Sequence, residues 1–196
     1  MNEKHWLRYS FGVFVLTCVC YLPALQNQFV RWDDPTVLLN NHAVRSLSLS
    51  NIYFIFTSFV QELYIPLTIF SFAIEYHFVQ YTPWLYHLTN VFLHAANTVF
   101  ILLLALRLGA PLRAAAFGSL LFGLHPMHVE AVAWITARKD VLYAIFYLAA
   151  ILSYLSFIEK KRRRWYFLSI GLGVCSILAK PMALSLPLIL ILIDVF

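Results

Sequence analysis

The chain has 196 residues, of which 62% are hydrophobic, 17% aromatic and only 12% charged. Soluble domains carry about 25% charged residues, so the composition excludes an ordinary water-soluble fold and predicts an all-α polytopic membrane protein. The net charge of +5 is distributed in the way that orients membrane helices, so a lipid bilayer is the predicted partner and nucleic acid is not.

Six apolar segments have the length and composition of membrane spans, which predicts a bundle of about six transmembrane helices in one domain covering residues 1–196. The first lacks the cleavage site of a removable signal peptide and is interpreted as an uncleaved anchor. The third is short but rich in small residues that favour close packing. The predicted bounds are 7–25, 86–108, 111–125, 141–158, 165–179 and 182–196.

The sequence Trp32-Asp33-Asp34-Pro35 follows the first span and begins a long loop, residues 26–84. Adjacent carboxylates beside an apolar helix suit a site that handles a proton or a positively charged reacting group. Asp34 has an alternative interpretation, since a carboxylate followed by proline is a common helix cap. A cap does not require Asp33.

An apolar stretch of the same loop, residues 66–74, is bracketed by Glu62 and Glu75. It is too short to cross a bilayer and predicts amphipathic helices that lie in the membrane interface. If this region does not span, nine basic residues fall on the side of the N-terminus and five on the other side. Because positive residues concentrate in the cytoplasm, the N-terminus is predicted to be cytoplasmic and the loop to lie on the outer face.

The second span carries four polar residues at spacings of three, four and three: His87, Asn90, His94 and Asn97. These spacings place all four on one face of a helix. Lipid cannot satisfy such a face, so it is predicted to line a polar cavity or to form hydrogen bonds between helices.

The next outer loop contains His125, His128 and Glu130, and ends at Arg138-Lys139. The two histidines and the glutamate are predicted to join the lining of the polar cavity. Their spacing matches no zinc motif, so no metal site is predicted there. Arg138-Lys139 has two interpretations: a surface anchor at the start of a helix, or a site for an anionic ligand, which two cations on the outer face, opposed to the charge bias of the chain, also indicate.

Lys180-Pro181 interrupts the last apolar region, because proline ends a helix and lysine avoids lipid. This third outer position adds another cation. The basic run 160–164 is interpreted as an orientation signal that contacts cytoplasmic lipid headgroups. The three cysteines lie in apolar segments and have no metal-binding spacing: Cys18, Cys20 and Cys175.

Together these outer positions suit transfer of a sugar from a lipid phosphate. Cations can hold the phosphate, a carboxylate can deprotonate an acceptor hydroxyl, and a negative charge stabilises an oxocarbenium-like transition state. Asp33 and Asp34 are therefore the predicted catalytic residues. Arg138, Lys139 and Lys180 are the predicted ligands of the donor phosphate.

Several motifs, in order, resemble the N-terminal membrane domain of the transmembrane-and-tetratricopeptide-repeat (TPR) O-mannosyltransferase-like family, of the C-type glycosyltransferase (GT-C) superfamily. They are FVRWDDP at 29–35, YIPLT at 64–68, HLTN at 87–90, LHAAN at 93–97, HPMHVEAVAW at 125–134, RKDVL at 138–142 and AKPMA at 179–183.

The resemblance implies a multispanning bundle with a catalytic aspartate in the first outer loop, at the positions of Asp33 and Asp34. It implies a polyprenyl- or dolichyl-phosphate-mannose donor, a protein or glycan acceptor, and contact of Arg138 with the lipid phosphate. Members of the superfamily differ in their need for a divalent cation, which the acidic pair could bind. The Lys139 and Lys180-Pro181 versions of the motifs resemble a bacterial branch, which favours a bacterial inner membrane over the endoplasmic reticulum.

Family members continue through further spans and a TPR tail that are absent from this sequence. We therefore expect a fragment, or a half-bundle that a partner subunit completes. The predicted function is a membrane glycosyltransferase of the outer face. The alternative is a non-catalytic scaffold or the half of a transporter. A transporter predicts ionisable residues at mid-membrane depth, whereas here they cluster at the outer edge.

Overall fold

The computed structural model describes residues 3–195, with side chains from residue 5 onward. The side chain of Lys4, one of the basic residues counted above, lies outside the described part of the chain. So does Phe196, which ends the sixth predicted span. Short turns of 3-10 and π helix join the α-helices, and residues 3–195 contain no β-strand. The helices are α1 (Glu3–Cys20), α2 (Leu49–Thr57), α3 (Pro66–Val79), α4 (Pro83–Arg107), α5 (Leu112–Gly123), α6 (Val129–Ala133), α7 (Arg138–Lys160), α8 (Arg163–Ala179) and α9 (Leu186–Val195).

Each of the six predicted spans overlaps one α-helix: α1, α4, α5, α7, α8 or α9. Of these, α5 and α9 are short, with 12 and 10 residues. Two segments of the described chain are long and apolar enough to cross a membrane, Pro83–Arg107 and Ile135–Lys160. Large apolar side chains are exposed on the outside of the bundle, including Phe11 at 72%, Phe117 at 66% and Leu188 at 66%. This surface indicates membrane association, and the prediction of an all-α membrane-type bundle is confirmed.

Hydrogen bonds between helices fix how α7 and α8 pack. The Ser169 hydroxyl donates to the carbonyl of Ala150 at 2.9 Å, and the Ser176 hydroxyl donates to that of Tyr143 at 2.8 Å. The pairing runs in opposite directions along the two helices, so α7 and α8 form an antiparallel hairpin. Serine at such positions lets backbones approach closely while keeping its hydroxyl bonded.

The small residues of α5 divide between its two faces. Ala115, Ala116 and Gly123 are buried, whereas Ala114 and Gly118 are exposed. A methyl group added at Gly123 would lie 2.6 Å from Cγ2 of Thr98 on α4 and 3.0 Å from the Thr17 hydroxyl on α1. At Gly123 the backbone of α5 thus lies against side chains of both α1 and α4.

We expect Gly123→Ala to lower the free energy of unfolding by about 1–3 kcal/mol, because its methyl group overlaps Thr98. Gly118→Ala is the matched control, since a methyl group there meets nothing within 4 Å. It should be neutral or stabilising by up to about 1 kcal/mol. Thermal unfolding in detergent measures both, and equal melting temperatures for the two variants would contradict this packing.

The long loop folds into a small core against one end of the bundle. Val44, Ile55, Ile69 and Phe72 are at most 2% exposed within it. The Thr68 hydroxyl on α3 donates to the last carbonyl of α8, that of Ala179, at 2.9 Å. One side of α3 packs against α7 and α8, while Phe78 on α3 and Leu49 and Tyr53 on α2 are exposed at 76%, 87% and 73%. The placement of these helices in the membrane interface stays a prediction.

The two ends of the bundle differ in charge. The end formed by the start of α1, the end of α4 and the α7–α8 turn contains Arg107 and the basic run 160–164, and we call it the basic end. The opposite end contains the acidic pair, the start of α4, α6 and the start of α7. We call it the site end. The predicted grouping of cations is thus present in the fold.

Candidate active site

Asp34 is buried at the site end, with 1% of its surface exposed. One carboxylate oxygen accepts from the indole N–H of Trp134 at 2.9 Å and from the Thr136 hydroxyl at 2.8 Å. The other accepts from the backbone N–H of Val30 at 2.8 Å. Asp34 makes no capping bond to the turn that Pro35 begins. The capping alternative is therefore wrong, and Asp34 instead joins the loop after α1 to the segment between α6 and α7.

Asp33 has a different environment from its neighbour. Its side chain is half-buried, and one carboxylate oxygen accepts a single long hydrogen bond, from the Gln61 amide at 3.3 Å. A carboxylate held this loosely keeps free acceptor positions for an incoming hydroxyl. Of the acidic pair, Asp33 is the member available for proton transfer.

Aromatic rings link the acidic pair to Lys139. The rings of Trp32 and Trp134 meet edge to face, with centroids 5.4 Å apart. The Lys139 ammonium lies 5.6 Å from the centroid of the Trp134 ring. Within residues 5–195, neither Lys139 nor Arg31 forms an ion pair. The site therefore combines an available carboxylate, an aromatic wall and two cations that an anionic ligand could engage.

A groove lies along α6 beside this wall. Its first section has a volume of about 520 Å³ and is lined by Val30, Arg31, Trp32, Val129, Glu130, Ala133 and Trp134. A second section of about 390 Å³ shares Val129 and Ala133 with the first and continues to Cys20, Tyr21 and Leu124. Both sections are lined mainly by apolar groups, and the first also contains the charged side chains of Arg31 and Glu130, so the groove suits an amphipathic ligand.

Arg138 is enclosed by protein, with 1% of its surface exposed. Its guanidinium donates to the Asn90 amide oxygen and the Tyr86 carbonyl, forms an ion pair with Glu75, and stacks 4.5 Å from the centroid of the Phe72 ring. This placement differs from the predicted contact with a donor phosphate, because every guanidinium nitrogen is already bonded within the protein. Arg138 instead holds α3, α4 and α7 together.

Lys180 is also paired. Its ammonium forms an ion pair with Asp140 and lies 5.7 Å from the centroid of the Tyr143 ring. The side chains of both members of the pair remain partly exposed, Lys180 at 23% and Asp140 at 31%. The pair fastens the end of α8 to the start of α7. Of the three cations predicted to bind phosphate, Lys139 is the one without a carboxylate partner among residues 5–195.

The polar face of α4 is buried as predicted, each side chain being at most 2% exposed. The Asn90 amide donates to the Trp134 carbonyl at 3.1 Å and the Asn97 amide to that of Val141 at 2.8 Å. His94 donates to the Gly123 carbonyl at 2.9 Å. Asn90, Asn97 and His94 therefore form hydrogen bonds to other parts of the bundle, which is the second of the two alternatives predicted for this face. Both ring nitrogens of His87 are buried without a hydrogen-bond partner in the described chain.

The two histidines between α5 and α6, His125 and His128, are not among the residues that line the groove. His128 donates to the Phe122 carbonyl at 2.7 Å, and His125 is exposed and accepts from the backbone N–H of Met127 at 3.2 Å. Glu130 is exposed and lines the groove, unlike the other six residues predicted to line a cavity. Among the described residues, no group of three or more His, Cys, Asp or Glu side chains is placed to hold a metal ion.

Several known proteins are similar to this chain in sequence. Tmtc1 of Drosophila melanogaster is 32% identical over 191 residues, which cover 94% of this chain. Mouse TMTC1 is 30% identical over 200 residues, and human TMTC3 is 36% identical over 143 residues. The chain is homologous to the TMTC proteins. Each of these relatives is named a protein O-mannosyl-transferase.

The alignments cover 92% of this chain for mouse TMTC1 and 69% for human TMTC3. They span only 22%, 21% and 15% of the Drosophila, mouse and human TMTC relatives, respectively. No family model matches the chain, and no solved structure matches it. The TMTC resemblance drawn from the motifs is supported, while the GT-C superfamily and the bacterial branch stay predictions.

Proposed function

We propose that this chain carries the sugar-transfer site of a membrane glycosyltransferase, with Asp33 as the catalytic base. The division of the acidic pair carries the proposal. Asp34 is engaged in joining two segments of the chain, whereas Asp33, which follows the groove-lining Trp32 in sequence, accepts a single long hydrogen bond and keeps acceptor positions free. The homology to proteins named O-mannosyl-transferases supports mannose as the sugar.

The reaction assigned to the site is a displacement at the anomeric carbon. The acceptor hydroxyl oxygen attacks C1 of the sugar, and its proton passes to the Asp33 carboxylate. The bond from C1 to the phosphate oxygen breaks, and its electron pair leaves with the lipid phosphate. The carboxylate also faces the positive charge that develops on the sugar ring, which stabilises the transition state.

The groove supports a polyprenyl- or dolichyl-phosphate sugar as donor. Arg31 lines its first section, and Lys139 lies against the Trp134 ring that borders that section, so a phosphate that enters there would meet both cations. The second section, toward Cys20 and Leu124, suits the first isoprene units. Trp32 and Trp134 offer flat surfaces against which a sugar ring can stack.

The same proposal gives the chain an orientation. The basic end would face the cytoplasm and the site end the opposite side of the membrane, following the predominance of positive charge in the cytoplasm. The membrane would be crossed several times by the long helices. A protein or glycan acceptor would then approach from outside. The location, in a bacterial inner membrane or the endoplasmic reticulum, is an expectation drawn from the resemblance. The same holds for the binding of a divalent cation and for a partner subunit that completes the bundle.

Donor binding tests this proposal. Radiolabelled polyprenyl-phosphate-mannose should bind the detergent-purified chain saturably, and Arg31→Gln or Lys139→Gln should each weaken binding about tenfold or more, because each removes a charged contact to phosphate. Lys161→Gln, an exposed substitution at the basic end, is the matched control and should bind like wild type.

Two results would contradict the proposal. Folded wild-type protein that binds no donor would favour the non-catalytic scaffold. Equal affinity of the Lys139→Gln, Arg31→Gln and wild-type proteins would show that the donor binds elsewhere. Size-exclusion chromatography and circular dichroism establish that each variant is folded before its binding is measured.

A further inference from the structure

A second cavity lies at the basic end, far from the acidic pair. It has a volume of about 460 Å³ and lies between α1, α4, α7 and the start of α8. Apolar side chains form most of its wall, while Arg107 and two serines supply polar groups. Its lining residues are Trp6, Leu103, Leu106, Arg107, Leu152, Ser153, Ser156 and Trp165.

Arg107 holds a charge at this cavity that is only partly neutralised. Its guanidinium donates to Glu159 at 2.9 Å and more weakly to the Ser156 hydroxyl at 3.4 Å. Both charged side chains remain accessible, Arg107 at 36% and Glu159 at 49% exposed. An exposed pair of this kind contributes little to stability, so Arg107 can exchange Glu159 for another anion at small cost.

The indole of Trp165 supplies a donor without an acceptor. Its N–H is buried and has no hydrogen-bond partner within the described chain. The Lys160 ammonium and the Arg164 guanidinium lie 4.9 Å and 5.3 Å from the centroid of the Trp165 ring. A buried N–H without a partner is costly, and an oxygen acceptor in the cavity would remove that cost.

We propose that this cavity binds one anionic phospholipid, and the proposal does not depend on sugar transfer. The phosphate pairs with Arg107 at a rim surrounded by the exposed basic run 160–164, and its ester oxygens accept from the Trp165 indole. The part of the acyl chains next to the headgroup packs on Leu103, Leu106 and Leu152. The apolar wall selects a lipid over a soluble phosphate, and the positive rim selects an anionic headgroup over a zwitterionic one.

Native mass spectrometry tests the selectivity directly. The purified protein is incubated with equimolar dioleoyl-phosphatidylglycerol and dioleoyl-phosphatidylcholine, and the lipids retained after detergent removal are counted. Wild type should retain one phosphatidylglycerol in preference to phosphatidylcholine. In Arg107→Gln the ratio of retained phosphatidylglycerol to phosphatidylcholine should fall about tenfold. Arg113 is exposed at the same end but outside the cavity, so Arg113→Gln should keep the wild-type ratio.

Glu159→Gln should have the opposite effect on lipid retention. Removal of the competing carboxylate frees Arg107, so retention of phosphatidylglycerol should increase. Asp194→Asn removes the same charge from an exposed residue that bonds Tyr154 at 2.6 Å instead of Arg107, and should leave retention unchanged. Equal retention of the two lipids by wild type, or equal gains in the Glu159 and Asp194 variants, would overturn the proposal.

Discussion

Asp33→Asn is expected to reduce sugar transfer by about 10²–10⁴-fold while donor binding and thermal stability stay close to wild type. The amide cannot take the proton of the acceptor hydroxyl, and general base catalysis contributes about that factor. Stability should hold because Asp33 is half-buried and accepts a single long hydrogen bond. Transfer of radiolabelled mannose from the lipid donor to acceptor, at saturating donor, measures the change.

Glu62→Gln is the matched control for this prediction. Glu62 is an exposed carboxylate of the same loop, and the substitution makes the same chemical change. Its transfer rate should equal that of wild type. An Asp33→Asn protein that transfers mannose at the wild-type rate would exclude Asp33 as the base.

Arg138→Met is expected to destabilise the fold by about 3–5 kcal/mol. The substitution removes the partner of Glu75, whose side chain is only 12% exposed, and leaves its charge uncompensated in the protein. It also removes the donors to Asn90 and to the Tyr86 carbonyl. The melting temperature in detergent should fall steeply, and donor binding should be lost together with the fold.

A double variant separates the structural role of Arg138 from phosphate binding. Arg138→Met combined with Glu75→Met leaves no unpaired charge, so it should recover a large part of the lost stability. Lys139→Gln, one residue along and half-exposed, should change stability by less than about 0.5 kcal/mol. If Arg138→Met kept the wild-type melting temperature and lost donor binding alone, the phosphate role that the motifs predict for Arg138 would be correct.

Features set by local periodicity were predicted well from the sequence. The six apolar segments match six helices, because the length and composition of a span depend on neighbouring residues. The buried face of α4 was predicted for the same reason, since residues three and four apart share one side of a helix. Burial of His87, Asn90, His94 and Asn97 follows from this spacing.

Features set by distant contacts were not predicted. Asp33 and Asp34 look alike in the sequence, and the partners that bury Asp34 lie 100 and 102 residues further along. The counter-ion of Arg138 is Glu75, which is 63 residues away on a helix that was expected to lie in the interface. Arg31 and Trp134 gave no signal of their own, because an arginine or a tryptophan near a membrane end is commonplace.

The most direct test of the site is to locate the donor on the chain. A photoactivatable polyprenyl-phosphate-mannose, crosslinked to the purified protein and mapped by peptide mass spectrometry, should label the two segments that border the groove, residues 28–34 and 129–139. Unlabelled donor should compete the label away. Label confined to the cavity of Trp6 and Trp165, or label that excess donor does not displace, would contradict the assignment of sugar transfer to Asp33 and its groove.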